Sequence, residues 1–216
     1  MGLLEIAAGV LFDPVNTFRR LAAAPPVGKA VVLATLVNAA TGLMGYFTFR
    51  ALPPGEAQDP VSGLLAAVLP ALSLTGFFLW YVKWFVYGGF LHFLAQLLGG
   101  RGLPLGTLTV YALAALPDVF IVPVQGILVL LELPEVTASV VQGIAGLVLL
   151  IWAVVLLVLG IRETHGFSSG HAVATVLGPV AGMALVAIVF FVLTLASVAP
   201  LLPDVNTPLR LHRLWP

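Results

Sequence analysis

Two hundred and sixteen residues would suit one ordinary soluble domain, but 61% of them are hydrophobic and only 8% charged, against roughly 25% charged in soluble globular proteins. Nine Lys+Arg balance nine Asp+Glu, so there is no basic footprint for nucleic acid, and a mean hydropathy of +1.13 leaves too few charges to coat a water-facing surface. The absence of Cys excludes disulfides, thiol catalysis and Cys-ligated metal, and the chain reads as an all-α, polytopic integral membrane protein.

Met1–Phe12 carries Glu5, lacks a basic leading region and has no A-x-A-like cleavage site, so it predicts a short interfacial helix rather than a signal peptide. Ile6 stands where a myristoylation motif needs Ser or Thr. The helix is expected to break at Asp13-Pro14. A second amphipathic turn then places Val15, Phe18 and Leu21 on one side and leaves Arg19 and Arg20 free for lipid phosphates.

Residues 1–27 thus form a cytoplasmic or interfacial segment ahead of a membrane domain at 28–199 and a short tail at 200–216, whose Arg210–Trp215 reads as an interface anchor. Four stretches exceed the ~20 residues that cover a ~30 Å hydrocarbon core: 28–49, 106–131, 138–161 and 172–199, with Pro179 starting the deeper part of the last. Val61–Gly99 is too long for one straight crossing and slightly short for two. Pro70 offers a break, which makes Val61–Ala71 interfacial or folded back and 72–98 the crossing.

The count is then five, with Arg19, Arg20, Lys29, Arg101 and Arg162 on the inner side. A six-span alternative splits Val61–Leu79 from Phe85–Leu98 at the aromatic-rich Trp80-Tyr81-Val82-Lys83-Trp84. Charge slightly favours six; the 14 residues of Phe85–Leu98 are short for a crossing and favour five.

Several short motifs resemble one family. Phe12-Asp13-Pro14-Val15-Asn16-Thr17-Phe18-Arg19-Arg20-Leu21, followed by Pro25-Pro26, is similar to the pre-membrane "P-x-x-T-F" box of the bacterial Yip domain (Ypt-interacting protein) family. Leu97-Leu98-Gly99-Gly100-Arg101-Gly102 resembles its loop between spans two and three. Tyr111–Pro117 matches the "Y-A-x-x-x-x-P" of its third span. Trp152, then Gly160-Ile161-Arg162-Glu163-Thr164-His165-Gly166-Phe167-Ser168 and Ala172, resembles its fourth-span exit. The resemblance runs from about residue 12 to 180. It implies five spans and a cytoplasmic N-terminus in the cell membrane. Eukaryotic relatives serve vesicle traffic and bind prenylated GTPases through cytoplasmic segments much longer than the one here, which argues against GTPase binding by this chain.

Lys83 and Asp118 stand near mid-membrane in two spans joined by a short Gly-rich loop. Reflecting Lys83 through that loop lands about one helical turn from Asp118. An isolated ion there costs roughly 2.5–3.5 kcal/mol, so a pair is expected, either structural or part of a proton or ion relay. In the six-span alternative Lys83 instead snorkels into the Trp80/Tyr81/Trp84 belt. Asn38 lies with Ala30, Ala34 and Gly42 on a small-residue stripe suited to helix packing, at a depth that leaves a polar cluster open.

His92, one turn from Gln96, is either a packed, hydrogen-bonded imidazole or a titrating group. Arg101 in its turn, and Arg162, Glu163, His165 and His171 in one loop, read as facing lipid headgroups, and the spacing of the loop suits no metal site. Gly99-Gly100-Arg101-Gly102 lacks the following Lys-Ser/Thr of a phosphate loop and reads as a tight turn. Val15-Asn16-Thr17 recurs as Val205-Asn206-Thr207, without wider self-similarity.

No nucleophile, metal set or acid pair converges, and no cofactor is implied. The expected role is a non-catalytic membrane scaffold or adaptor with a membrane-protein partner or a second copy of itself. A small transporter or lipid scramblase using Lys83, Asp118 and Asn38 is the alternative.

Overall fold

The computed structural model describes residues 1–50 and 60–198. All of its regular structure there is helical. The tail at 200–216, with its anchor and the recurring Val205-Asn206-Thr207, lies outside the described residues.

Two short helices open the chain, α1 (Leu3–Phe12) and α2 (Pro14–Ala23). Asp13 breaks them apart in a non-helical conformation (φ −140°, ψ 65°), and Pro14 sits at the first position of α2, where its missing N–H is no loss. The two pack so closely that a Cβ on Gly9 would lie 2.5 Å from Thr17 Oγ1. Ile6 and Val10 of α1 and Phe18 and Leu21 of α2 are buried in the main core. The expected amphipathic pair is therefore docked onto the bundle, chiefly through α2 against the seventh helix.

Among the described residues, four helices or helix pairs are long and apolar enough to cross a membrane: α3 (Val27–Arg50), the broken pair α5 (Pro104–Leu113) and α6 (Ile121–Leu130), α7 (Glu135–His165), and α8 (Ser169–Val198). Their outward side chains are large and apolar, as on α7 at Ile144, Leu147 and Ile151, a surface that needs lipid to cover it. α3 packs on α5, and α5 and α7 meet where Gly160 faces Val110 without room for a Cβ.

Between them, α4 (Pro60–Leu97) runs for 38 residues with Pro70 inside it. This corrects the expected fold-back of Val61–Ala71. Proline removes one N–H and crowds one carbonyl, which is enough to bend a long helix without ending it. The Trp80–Trp84 stretch is likewise helical throughout, with the two indoles stacked at 6.5 Å, so it is no inter-span linker.

The third crossing also departs from the uniform helix expected at 106–131. α5 ends at Leu113, a 3-10 turn covers Leu116–Phe120, and α6 resumes at Ile121. Pro117 is the physical cause, because it cannot donate to the carbonyl one turn back. α8 in contrast runs unbroken through Pro179 from Ser169, earlier than the expected start. α7 runs four residues past the expected 161, so Arg162, Glu163 and His165 belong to its last turn and not to a loop.

By contacts the chain divides into two units, Met1–Val176 and Leu177–Pro216. The first holds the core described above. The described part of the second is the rest of α8, an apolar helix with almost every side chain exposed.

Candidate functional site

The polar groups of the first unit gather in three places. The most fully built lies where the α4–α5 connection meets the end of α7. Gly99 ends α4 in the left-handed region (φ 88°), and Gly166 caps α7 in the same way (φ 69°), so both helices stop with their last carbonyls bonded. The connection then runs flat across α7: Arg101 N–H donates to the His165 carbonyl at 3.3 Å, and Gly102 N–H donates to His165 Nδ1 at 3.2 Å. A side chain at Gly102 would strike the Thr164 carbonyl at 2.6 Å, and one at Gly100 would strike His165 Nδ1 at 2.6 Å. The glycines thus give close approach over an imidazole.

That contact fixes a chain of donors. A backbone amide can only donate, so His165 Nδ1 accepts and its proton sits on Nε2. Nε2 lies 2.9 Å from Thr107 Oγ1, and His92 Nδ1 lies 3.3 Å from the same oxygen. His165 therefore donates to Thr107, whose hydroxyl oxygen also lies within hydrogen-bond distance of His92 Nδ1. All three are buried, at 3%, 0% and 8% exposure. Phe167 stacks on His165 at 5.5 Å. His92 is thus a packed, hydrogen-bonded imidazole, and its partner is Thr107 rather than Gln96. His165 is buried, while Arg162 and Glu163 are only half-buried beside it.

Glu163 organises the charges at this end. Its carboxylate accepts from Arg19 Nε at 3.0 Å and from Arg162 at 2.8 and 3.1 Å. One acid thereby ties α2 to α7 across 144 residues of sequence. Arg20 and Arg101 are exposed. Lys29 Nζ donates to the Met1 carbonyl at 2.7 Å, holding the chain start against α3.

The second place is mid-bundle. Lys83 and Asp118 line one cavity of about 200 Å³ with Trp80, Tyr111, Ala114, Ala115 and residues of α7. They share the cavity without forming an ion pair within 4 Å. Asp118 sits in the 3-10 break of the third crossing, where backbone out of regular helix is tolerated if it is buried in protein or faces a wet cavity.

The third place is a groove of about 800 Å³ between α3 and α4, lined by Asn38, Thr41, Gly42, Ser73 and Phe77 among others. Asn38 Nδ2 donates to the Phe77 carbonyl at 3.5 Å, and Thr35 Oγ1 meets Tyr81 OH at 2.7 Å. Ala30 and Ala34 are buried as the small-residue stripe predicts, but Gly42 is exposed in the groove. Asn38 lines a different cavity from Lys83 and Asp118, so these three do not make one lining.

Thr107 was absent from the sequence candidates, as was Gln125 of α6, whose buried side-chain Oε1 has no hydrogen-bond partner among the described residues. A polar side chain inside an apolar run was the available signal for both.

A family model described as the Yip1 domain matches residues 8–198. No curated protein and no solved structure matches the chain. The family match spans all three polar places and begins inside α1.

Proposed function

Since this chain belongs to the Yip1 domain family, we propose that it acts as a non-catalytic membrane scaffold or adaptor, organising a membrane partner or lipid around a preformed N-terminal platform. The α1–α2 hairpin carries this reading. Its inner face is buried with Ile6, Val10, Phe18 and Leu21, and Arg19 is held by Glu163. Its outer face keeps Leu4 and Phe12 at 85% and 79% exposure, with Arg20 alongside. Large apolar groups held outward on a docked hairpin are a preorganised contact surface, which lowers the ordering cost of binding.

With α4 counted beside the four apolar crossings, the membrane domain at 28–199 makes five passes, after the segment 1–27 and before the tail 200–216. The alternation then gathers Arg19, Arg20, Lys29, Arg101 and Arg162 on one side, cytoplasmic by the positive-inside rule, in the cell membrane. A photo-crosslinker at Phe12, compared with one at the outward Leu147 of α7, tests the platform in native membranes. A discrete protein adduct at Phe12 alone supports it. The same mixture of adducts at both positions overturns it.

The helix break at Leu116–Phe120 favours a second reading, a carrier or lipid scramblase, because interrupted spans lining a polar midplane cavity are a feature of transporters. Dithionite quenching of fluorescent lipid in reconstituted liposomes discriminates the two. Quenching that passes half, and falls back in a folded Lys83→Ala/Asp118→Ala variant, supports movement of lipid. Quenching that stops at half excludes scrambling.

A further inference from the structure

We propose that the Arg101 end of the bundle is a binding site for the phosphate of an anionic phospholipid. A polar cavity of about 540 Å³ opens there, lined by Gly99, Arg101, Glu163, Thr164, His165 and Gly166. The charges around it do not cancel. Glu163 is already shared between Arg19 and Arg162, and the Arg101 guanidinium makes no ion pair or hydrogen bond among the described residues. Glu163, the one carboxylate in the lining, is thus already neutralised by two guanidiniums, and the Arg101 charge is left over. A planar guanidinium suits a phosphate, which it can grip with two parallel N–H bonds.

The backbone amides of the glycine turn are not available for this task. Those of residues 99–102 donate to the carbonyls of Gln96, Ala95 and His165 and to His165 Nδ1. Recognition by the loop amides, as in a nucleotide cradle, is thus closed, and the anion falls to the Arg101 side chain.

The surroundings of Arg101 identify the source of the phosphate. Leu97, Leu98, Leu103 and Leu105 are 66%, 40%, 61% and 54% exposed within four residues on either side. Apolar side chains flanking an exposed cation, at the ends of two helices, place the turn at the level where acyl chains meet headgroups. A free phosphate has no use for these leucines. A diacyl lipid covers them while its phosphate reaches the cavity.

The test uses the full chain in neutral detergent, with bound lipid counted by native mass spectrometry during titration with phosphatidylglycerol, phosphatidylcholine or inorganic phosphate. The site predicts that phosphatidylglycerol binds about tenfold more tightly than phosphatidylcholine, whose choline cation offsets the charge of its phosphate beside the Arg101 guanidinium. Arg101→Gln removes the preference and Arg101→Lys keeps part of it. Lys29→Gln, on the same side of the protein, leaves it intact. The Arg101 side chain makes no ion pair or hydrogen bond among the described residues, so an unchanged thermal transition is expected and is checked on each variant. Equal binding of the two lipids, or a preference that survives Arg101→Gln, overturns the proposal. Inorganic phosphate that displaces the lipid at equal concentration overturns the lipid assignment and leaves a site for free phosphate.

Discussion

Arg19 and Glu163 stand 144 residues apart in the chain and 3.0 Å apart in the fold. The contact joins the second helix to the last turn of the seventh and fixes the N-terminal hairpin against the bundle. Glu163 is 12% exposed and Arg19 64%, so the pair lies at the edge of the protein.

Glu163→Gln should loosen the hairpin and leave the bundle folded. Exposed ion pairs are worth about 0–1 kcal/mol, and here one carboxylate holds two arginines, which places the loss near the upper end. Hydrogen exchange should quicken in 14–23 and stay unchanged in α5. Added salt should reproduce part of the effect in the parent protein. Equal protection of 14–23 in the two proteins would show that apolar docking alone holds the hairpin.

Thr107→Val should be costly despite its nearly equal volume. It leaves an imidazole N–H of His165 and a nitrogen of His92 without their partner, and each buried unsatisfied group costs about 1–3 kcal/mol. Thr109→Val is the comparison: its hydroxyl bonds only the Leu105 carbonyl one turn back. The thermal midpoint should fall clearly for the first and little for the second. Similar shifts for both would contradict the network.

Gly160→Ala and Gly143→Ala should move stability in opposite directions. A Cβ at Gly160 collides with Val110, and overpacking costs about 1–3 kcal/mol. Nothing lies within 4 Å of a Cβ at Gly143, so there the helix gains up to ~1 kcal/mol from reduced backbone freedom. Chemical denaturation of both variants in one detergent gives the comparison; a Gly160→Ala protein as stable as its parent would refute the close α5–α7 crossing.

Gln125→Met should stabilise the protein. The buried Oε1 has no partner among the described residues, and an apolar side chain of similar length removes that cost, about 1–3 kcal/mol. A lower thermal midpoint in the variant would mean that the amide is bonded in the membrane.

Much of the helical layout was legible, because apolar runs of twenty or more residues leave little choice in a bilayer. Asp13-Pro14 marked the break between α1 and α2, and Val15, Phe18 and Leu21 marked an inward face, of which Phe18 and Leu21 are fully buried. Prolines were harder to read. Pro70 and Pro179 are contained within helices, while Pro117 lies in the 3-10 turn that interrupts the third crossing. The site was less legible still. That Thr107 meets both His92 and His165 depends on the register of three helices, and no spacing along the chain encodes it. His165 looked like part of a loop because the helix stops at the next glycine. Lys83 and Asp118 were placed at similar depth by reflection through the loop, and they do share a cavity, but depth alone cannot supply the rotation that would close an ion pair.

The central claim is that the N-terminal hairpin is a fixed platform on the membrane bundle. The chain has no cysteine, so spin labels at Arg20→Cys and Val173→Cys report on those two positions alone. Double electron–electron resonance in lipid nanodiscs should give one narrow distance distribution, which broadens when Glu163→Gln is added. A broad or multi-peaked distribution in the otherwise unmodified protein would show that the hairpin is not docked, and the platform reading would fall with it.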